Sequence, residues 1–164
     1  MDIEIRRAEK RDIPRIGELL LQVHEVHRAG RPDLFTEGGR KYSDSQLEVL
    51  LEDQERPIFV ALDETENVVG YGFCVILEAD GQNLKKHRTL YIDDLCVDES
   101  VRRRHVGQLL FARIREYARE INCYDLTLNV WACNPSAMKF YERQGMQLLK
   151  KEMETILQEN AGET

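Results

Sequence analysis

Residues 89–130 constrain the fold more than any other part of the sequence, because two strand patterns there flank one long helical pattern. Residues 89–97 and 124–130 have the short apolar runs typical of strands. The apolar positions between them recur at helical spacing: Val106, Leu109, Leu110, Ile114, Tyr117, Ala118 and Ile121. Two strands of one sheet that are joined by a helix run parallel, with a right-handed crossover. The segment therefore predicts a parallel strand pair within a larger sheet.

The amino-terminal residues predict a short strand followed by two helices. Ile3 and Ile5 alternate with charged residues, as in a strand, and Asp12 is placed to cap a helix. After a loop over residues 29–42, Ser45 and Glu48 have the spacing of a capping box and predict the start of a second helix.

The remaining segments complete a mixed sheet. Residues 58–62 and 68–77 are β-branched runs joined by a polar connection, which predicts an antiparallel hairpin. Residues 134–145 predict a short helix, and residues 147–157 predict a final strand. We expect a mixed α/β fold in a single domain over residues 1–164: a mostly antiparallel central sheet with one parallel pair, flanked by helices. Residues 158–164 are expected to form a disordered tail.

Charge and composition exclude several classes of protein. No stretch approaches the roughly 18 consecutive apolar residues of a membrane span, and the charged amino terminus is unlike a signal peptide, so we expect a cytoplasmic protein with no membrane partner. The cysteines, Cys74, Cys96, Cys123 and Cys133, form no C-x-x-C pair, so neither a disulfide framework nor a metal site is predicted. The net charge of −7 argues against nucleic acid and favours a small cationic or neutral substrate.

The basic turn before the long helix predicts an anion site. Arg102, Arg103 and Arg104 precede Gly107 at the start of the helix. The first turn of a helix has backbone N–H groups without intrahelical partners and a positive dipole end, both of which favour phosphate. Gly107 lets a ligand approach the helix without meeting a Cβ atom.

At this turn the sequence resembles the GNAT superfamily of N-acetyltransferases, whose signature is Gln or Arg, two residues, Gly, one residue, then Gly or Ala. Here it is Arg102-x-x-His105-x-Gly107, with His105 in place of the usual glycine. A second family segment, N-x-x-A-x-x-F-Y-x-x-x-G-F, matches with Met146 in place of the last Phe; the matching residues are Asn134, Ala137, Phe140, Tyr141 and Gly145.

The resemblance implies an N-acetyltransferase that uses acetyl-CoA as cosubstrate, with the two parallel strands splayed apart around it. It implies that backbone amides of the basic turn bind the pyrophosphate: Arg102, Arg103, Arg104, His105, Val106, Gly107 and Gln108. It also implies that Leu95, Cys96 and Val97 pair with the pantetheine arm and that Asn134 hydrogen-bonds the pantetheine amides. Asn134 also precedes Pro135 as a helix amino-terminal cap, and one asparagine can fill both roles. His105 would either crowd the diphosphate or add a donor to it.

The resemblance also assigns catalytic roles. Tyr141 matches the family tyrosine near the coenzyme sulfur and is the expected general acid, since a phenol is protonated at neutral pH. Asp93 is the expected base, acting through water, because it matches the position where polyamine-type relatives have an acidic residue. Asp94 is the alternative base and an expected substrate-binding residue, since either acid could instead hold the substrate ammonium. Because successive strand residues point to opposite faces, only one of the two acids is expected to face the substrate.

The first helix and the following loop are expected to cover the acceptor cleft, with His24, His27 and Phe35 in acceptor recognition. A polyamine, an aminoglycoside, an amino acid or a protein amino terminus all fit, by direct attack in a ternary complex. The alternative is a CoA-binding regulatory protein of the same fold with impaired catalysis. A homodimer through a strand edge or the carboxyl-terminal strands is one arrangement left open.

Overall fold

A computed structural model describes residues 2–158 of the chain and contains one mixed sheet. The strands follow one another across the sheet in chain order: β1 Glu4–Arg7, β2 Ile58–Leu62, β3 Val68–Ala79, β4 His87–Val97 and β5 Asp125–Leu128. Neighbouring strands are antiparallel except β4 and β5, which are parallel. The predicted mixed sheet with one parallel strand pair is therefore confirmed.

Helices cover both faces of the sheet. They are α1 Ile13–Gly30, α2 Asp44–Glu52, α3 Val106–Glu120 and α4 Pro135–Arg143, with 3₁₀ turns at Lys10–Asp12 and Glu99–Val101. Buried residues of α1 and α2 form one core with Tyr71 and Phe73 of β3. Buried residues of α3 form a second core on the other face, with Cys74, Leu90 and Ile92 of β3 and β4. The two faces thus have separate apolar cores.

A glycine on β3 allows α3 to lie close to the sheet. A Cβ atom at Gly72 would come within 2.5 Å of Ile114 Cδ1, closer than side-chain atoms approach one another. Gly72 is paired with Leu95 of β4, so the close approach lies beside the strand that the sequence assigns to the cosubstrate. Helix α3, whose amino terminus is the predicted anion site, is fixed in position by this contact.

The start of α2 differs from the expected one by two residues. The capping box is formed by Ser43 and Gln46: the Ser43 hydroxyl accepts from Gln46 N at 3.3 Å, and Ser43 N donates to Gln46 Oε1 at 2.9 Å. The Ser45 and Glu48 pair predicted from the sequence is wrong. Both pairs fit the pattern, and the earlier one is selected because Tyr42 and Leu47 must both reach the core.

The expected final strand is also absent. Residues 147–157 belong to no strand within the described range, because no backbone hydrogen bond joins them to the sheet. The predicted tail falls almost entirely outside the described residues, which end at the exposed Gln158. No helix within residues 2–158 combines the length and apolar character needed to cross a membrane.

A buried ion pair holds the chain between β1 and α1. The carboxylate of Asp12, 5% exposed, accepts from Arg6 Nη1 at 2.8 Å and Nη2 at 3.0 Å and from Glu9 N at 2.8 Å. Burial alone would raise the pKa of Asp12, but the hydrogen bonds from Arg6 and Glu9 outweigh it and lower that pKa below its usual value. The ion pair fixes where α1 begins.

Replacing Asp12 with Asn is expected to lower the free energy of unfolding by about 3 kcal/mol, because Arg6 keeps its charge in a mostly buried place without a counter-charge. Since the folded pKa of Asp12 is lowered, the stabilisation by the pair is present above the unfolded carboxyl pKa of about 3.9. It is lost as the pH falls through the lower folded value. Urea denaturation between pH 2 and pH 7 measures both effects.

Glu116→Gln is the matched control, because Glu116 forms an exposed ion pair with Arg119 at 3.8 Å. An exposed pair contributes at most about 0.5 kcal/mol here. Equal losses of stability in the two variants would contradict the role given to Asp12.

Candidate active site

Strands β4 and β5 pair along only part of their length. Hydrogen-bonded register joins Thr89 to Asp125 and continues to Ile92 opposite Leu128, where β5 ends. Strand β4 runs on to Val97 and stays paired with β3 as far as Gly70 opposite Val97. One edge of β4 beyond Ile92 is therefore open toward the place where β5 has ended. This open edge includes Leu95, Cys96 and Val97.

The basic turn lies directly after the open edge and presents free N–H groups. Within the described residues, none of the backbone N–H groups of residues 102–108 donates a hydrogen bond to the protein. Arg103 and His105 have φ angles of 73° and 63°, and His105 is the amino-terminal cap of α3 in left-handed conformation. The side chains of Arg102, Arg103 and Arg104 are exposed. The turn thus combines backbone N–H groups that lack a hydrogen-bond acceptor with positively charged side chains. These are the features of a phosphate-binding site.

Gly107 has a packing role that the sequence did not predict. A Cβ atom there would lie 3.3 Å from Phe140 Cζ and 3.5 Å from Val97 Cγ2. The position of its missing side chain therefore faces α4 and β4. The expectation that Gly107 lets a ligand approach the helix stays a prediction. A side chain at this position would require Phe140, which packs over the first turn of α3, to shift slightly.

A β-bulge places both candidate acids on one face of the sheet. Phe73 pairs with Asp94 and Cys74 pairs with Ile92, so Asp93 is the extra residue of β4. Asp93 contacts Tyr42 and Asp94 contacts Tyr71, and both tyrosines belong to the core beneath α1. The expectation that the two acids point to opposite faces is wrong, because a bulge interrupts strand alternation.

Both carboxylate oxygens of Asp93 are engaged. Oδ1 lies 3.0 Å from Lys41 Nζ, and Oδ2 accepts from the Tyr42 hydroxyl at 2.6 Å. Burial and the hydrogen bond to Asp93 raise the pKa of Tyr42, so its hydroxyl stays protonated and continues to donate. Asp93 thereby ties the loop before α2 to β4.

Asp94 is in a different electrostatic environment. Its Oδ2 accepts from the Tyr71 hydroxyl at 2.8 Å, and no cation pairs with it within the described part of the chain. Burial raises the pKa of Asp94 to about 6, although the hydrogen bond from Tyr71 and the charge of Lys41 oppose this. A carboxylate that titrates near neutrality is suited to accept a proton.

Tyr141 lies on α4 with an unpartnered hydroxyl. Its ring is half-buried, with its centroid 5.1 Å from that of Phe140 and 6.0 Å from that of Phe111. The hydroxyl forms no hydrogen bond with any described residue and is not sealed from solvent. Burial, followed by the charges of Asp94 and Cys96, raises the pKa of Tyr141. The phenol is therefore protonated at neutral pH and has a donor available.

Asn134 caps α4, which is one of the two roles that the sequence left open. Its side-chain Oδ1 accepts from Ala137 N at 3.3 Å and from the Ser136 hydroxyl at 3.0 Å. The side-chain NH₂ group makes no hydrogen bond with the described residues. A contact between this group and the pantetheine stays a prediction.

The three residues predicted to recognise the acceptor lie together, with Trp131 as a fourth member. The ring centroid of Phe35 lies 5.3 Å from that of His27, 5.8 Å from that of His24 and 5.3 Å from that of Trp131. We call these four residues the aromatic wall. Burial, and then the charges of Lys41 and His24, lower the pKa of His27, which favours its neutral form. The aromatic wall thus connects α1 and the loop that follows it with the segment after β5, which contains Trp131.

Residues 20–146 match the model of the acetyltransferase (GNAT) family. The chain belongs to this family. Family membership makes it an acyltransferase, and the open edge of β4 and the basic turn lie inside the matched range.

Known relatives agree with this assignment. The chain is similar to the BH1408 protein of Bacillus halodurans, whose structure was solved for a mutant form, with 29% identity, a TM-score of 0.91, and 94% of this chain and 99% of that one covered. Glucosamine-6-phosphate N-acetyltransferase of Arabidopsis thaliana shares the fold, with 22% identity, a TM-score of 0.68, and 96% of this chain and all of that one covered.

A curated relative of known activity is a longer protein, of which the match covers only part. L-ornithine N5-acetyltransferase NATA1 of Arabidopsis thaliana is 29% identical over 126 residues, which are 77% of this chain and 53% of that protein. The chain therefore spans about half the length of this curated relative.

Sequence reasoning missed three residues of this GNAT site. Lys41 and Tyr42 hold Asp93, and Tyr71 holds Asp94. The one signal in the sequence was Tyr71, whose hydroxyl lies within the apolar run of β3. A buried tyrosine needs a hydrogen-bond partner, which here is Asp94. Neither Lys41 nor Tyr42 forms part of a recognisable spacing.

No group of three or more His, Cys, Asp or Glu side chains within the described range is arranged to hold a metal ion. The cysteines described there are free thiols, with Cys74 and Cys96 buried.

The left-handed conformation of His105 makes a testable prediction. Both Ala and Gly remove the imidazole, including its contact with Gln108 Oε1 at 3.2 Å, but only Gly adopts a φ of 63° without steric cost. His105→Gly is expected to be about 1 kcal/mol more stable than His105→Ala. Urea denaturation of the two variants measures the difference, and an Ala variant at least as stable as the Gly variant would contradict the conformation assigned to this turn.

Proposed function

We propose that the protein transfers the acetyl group of acetyl-CoA to a primary amine of a small molecule, by direct attack in a ternary complex. The observation that carries the proposal is the open edge of β4. It begins beside Asp94, passes Tyr141 and leads into the turn of unpartnered N–H groups. An extended ligand with a phosphate end and a reactive thioester end fits this order of groups.

The residues suit acetyl-CoA as cosubstrate. Backbone N–H groups of residues 102–108, with Arg102, Arg103 and Arg104, would bind the pyrophosphate. The open edge at Leu95, Cys96 and Val97 would pair with the amides of the pantetheine arm, in place of the contact from Arg102 Nε to Val97 O at 3.4 Å. The NH₂ group of Asn134 offers a further donor. Acetyl-CoA supplies the activated acetyl group in this position.

We place the base at Asp94 rather than at Asp93. An amine attacks only when it has a free lone pair, so one proton must leave the nitrogen. Asp93 already binds Lys41 and Tyr42 with its two oxygens, whereas Asp94 has a pKa of about 6 and accepts from two neutral donors, the Tyr71 hydroxyl and the Leu95 backbone N–H. Asp94 takes the amine proton directly or through water, and Asp93 positions the loop that contains Lys41.

Tyr141 acts at the leaving group. As the new C–N bond forms and the C–S bond breaks, negative charge develops on the coenzyme sulfur. The hydroxyl of Tyr141 donates a hydrogen bond to this sulfur and stabilises the thiolate. The raised pKa of Tyr141 keeps the donor protonated throughout the working pH range.

The acceptor is proposed to be a small amine that carries a cationic or neutral body. The aromatic wall offers apolar surface and ring faces, and the carboxylates of Asp93 and Asp94 lie on the same face of the sheet as α1. The net charge of −7 favours cations. The similarity to L-ornithine N5-acetyltransferase, whose substrate is an amine with a cationic group, supports an acceptor of this class. The cytoplasmic location stays a prediction from the sequence.

The direct test is a turnover assay with a panel of amines. Acetyl-CoA is supplied with ornithine, polyamines, glucosamine 6-phosphate and aminoglycosides, and free thiol is measured as it is released. Amine-dependent thiol release together with an acetylated product by mass spectrometry is the expected result. Thiol release that no amine accelerates would count against an amine acceptor of these classes.

Tyr141→Phe is expected to lower kcat by about 100-fold, because one donor to the developing thiolate is removed. Affinity for acetyl-CoA in calorimetry should be unchanged, since the ring packing is kept. Tyr124→Phe is the matched control, because Tyr124 is 81% exposed and lies away from the gap between β4 and β5. Full activity in Tyr141→Phe would remove Tyr141 from the mechanism.

The pKa of Asp94 sets an expected pH profile. Activity requires the carboxylate, so kcat/KM should fall as the pH drops through about 6, with the protonated enzyme inactive. Asp94→Asn should lose at least about 100-fold in kcat/KM and should also lose this inflection. A profile for Asp94→Asn that retains the inflection near pH 6 would assign it to another group.

A further inference from the structure

Lys41 is a primary amine that lies within the candidate active site. Its ammonium group contacts Asp93 twice, with Nζ 3.0 Å from Oδ1 and 3.2 Å from the backbone carbonyl oxygen. Asp93 is the bulged residue that follows Ile92, and Ile92 is the last residue of β4 that pairs with β5. Lys41 Nζ therefore lies at the beginning of the open edge of β4.

The proposed direction of acetyl-CoA gives this position a chemical meaning. With the pyrophosphate at residues 102–108 and the pantetheine arm along residues 95–97, the thioester lies toward Asp93 and Asp94. An acceptor amine must approach the thioester at this same end of the edge. Lys41 thus brings an amine of the chain itself to the place where the acceptor amine is proposed to react.

The electrostatic effects of Lys41 agree with this position. Its charge acts to lower the pKa of Asp94, the proposed base, and the pKa of His27 in the aromatic wall. The charge of Asp94 in turn contributes to the raised pKa of Tyr141, the proposed donor to the coenzyme sulfur. Lys41 therefore lies near the base and near the acceptor side of the site.

The ammonium group is held by Asp93 but is not enclosed. An ammonium has three N–H donors, of which Asp93 accepts two, and the side chain of Lys41 is 43% exposed. Lys41 belongs to the loop between α1 and α2, and its aliphatic stem is flexible. Nζ can therefore leave Asp93 and reach a nearby carbonyl carbon while the helices and the sheet stay in place.

We propose that the protein acetylates its own Lys41 when acetyl-CoA is bound and no amine acceptor is present. One ammonium proton leaves to Asp94, directly or through water, so that Nζ gains a lone pair. Nζ then forms the C–N bond with the thioester carbon as the C–S bond breaks, and its second proton goes to the departing sulfur. The products are acetyl-lysine and the free thiol of the coenzyme. This inference rests on the proposed function, because it needs acetyl-CoA along the open edge.

Acetylation would change the charge on the acceptor side of the site. The amide of acetyl-lysine is neutral, so Asp93 loses its cationic partner while it keeps the hydrogen bond from Tyr42. Oδ1 of Asp93 then becomes available to an ammonium group of the acceptor. Self-acetylation is therefore expected to favour acceptors that have a second cationic group.

Mass spectrometry of the full chain tests the proposal. The protein is incubated with acetyl-CoA and without an amine, and the expected result is the gain of one acetyl group, which peptide mapping locates at Lys41. The rate per chain should not depend on protein concentration, because the amine and the thioester are bound to the same chain. Lys41→Arg keeps a cation beside Asp93 but has no primary amine, so this variant should not gain the acetyl group.

Lys10 is the matched internal control. It also faces a carboxylate, with Nζ 4.0 Å from Glu48 Oε1, but its side chain is 81% exposed. Uncatalysed acetylation in solution would favour Lys10 as the more accessible amine, whereas the proposal predicts modification of Lys41 at least about tenfold faster. Tyr141→Phe should slow the modification of Lys41 and leave that of Lys10 unchanged.

Two results would overturn the proposal: a Lys41 that stays unmodified, or one that is modified no faster than Lys10. Amine-dependent thiol release, measured on the same preparation, separates this inference from the proposed function. Turnover of a small amine without acetylation of Lys41 would contradict the inference alone. The absence of both reactions would contradict the proposed function as well.

Discussion

The early end of β5 is the constraint on which the site depends. Strand β4 keeps its hydrogen bonds to β3 as far as Val97, while β5 leaves the sheet after Leu128. A paired strand thereby has one open edge inside a folded domain, a place where backbone groups are free to bind an extended ligand. The basic turn and α3 follow at the end of this edge, and the contact between Gly72 and Ile114 holds them there.

The bulge at Asp93 gives two neighbouring carboxylates different surroundings. Both lie on the α1 face, but Asp93 forms an ion pair with Lys41 while the donors to Asp94, the Tyr71 hydroxyl and the Leu95 N–H, are neutral. Burial then separates their behaviour, and Asp94 titrates close to neutral pH. One residue fixes a loop and the other is available for proton transfer, which is a division that an acid pair in regular strand alternation would not produce.

Sequence patterns predicted the parts of this molecule that depend on local chemistry. The strand, basic turn and helix, the cap at Asn134 and the grouping of His24, His27 and Phe35 could all be inferred from spacing or family resemblance. The partners of Asp93 and Asp94 could not, because a bulge and contacts across 51 and 23 residues leave no local pattern. Residues 147–157 have a strand pattern but pair with no strand among the described residues, because an apolar alternation does not say whether a neighbouring strand is present.

The central claim is that the open edge of β4 and the turn after it bind acetyl-CoA as one continuous site. Calorimetric titration of the protein with acetyl-CoA, followed by titration with inorganic pyrophosphate, tests this most directly. The account predicts saturable binding of one acetyl-CoA per chain, with pyrophosphate binding far more weakly because it lacks the pantetheine arm. Equal affinity for both would reduce the site to an anion site, and no binding of acetyl-CoA would contradict the account.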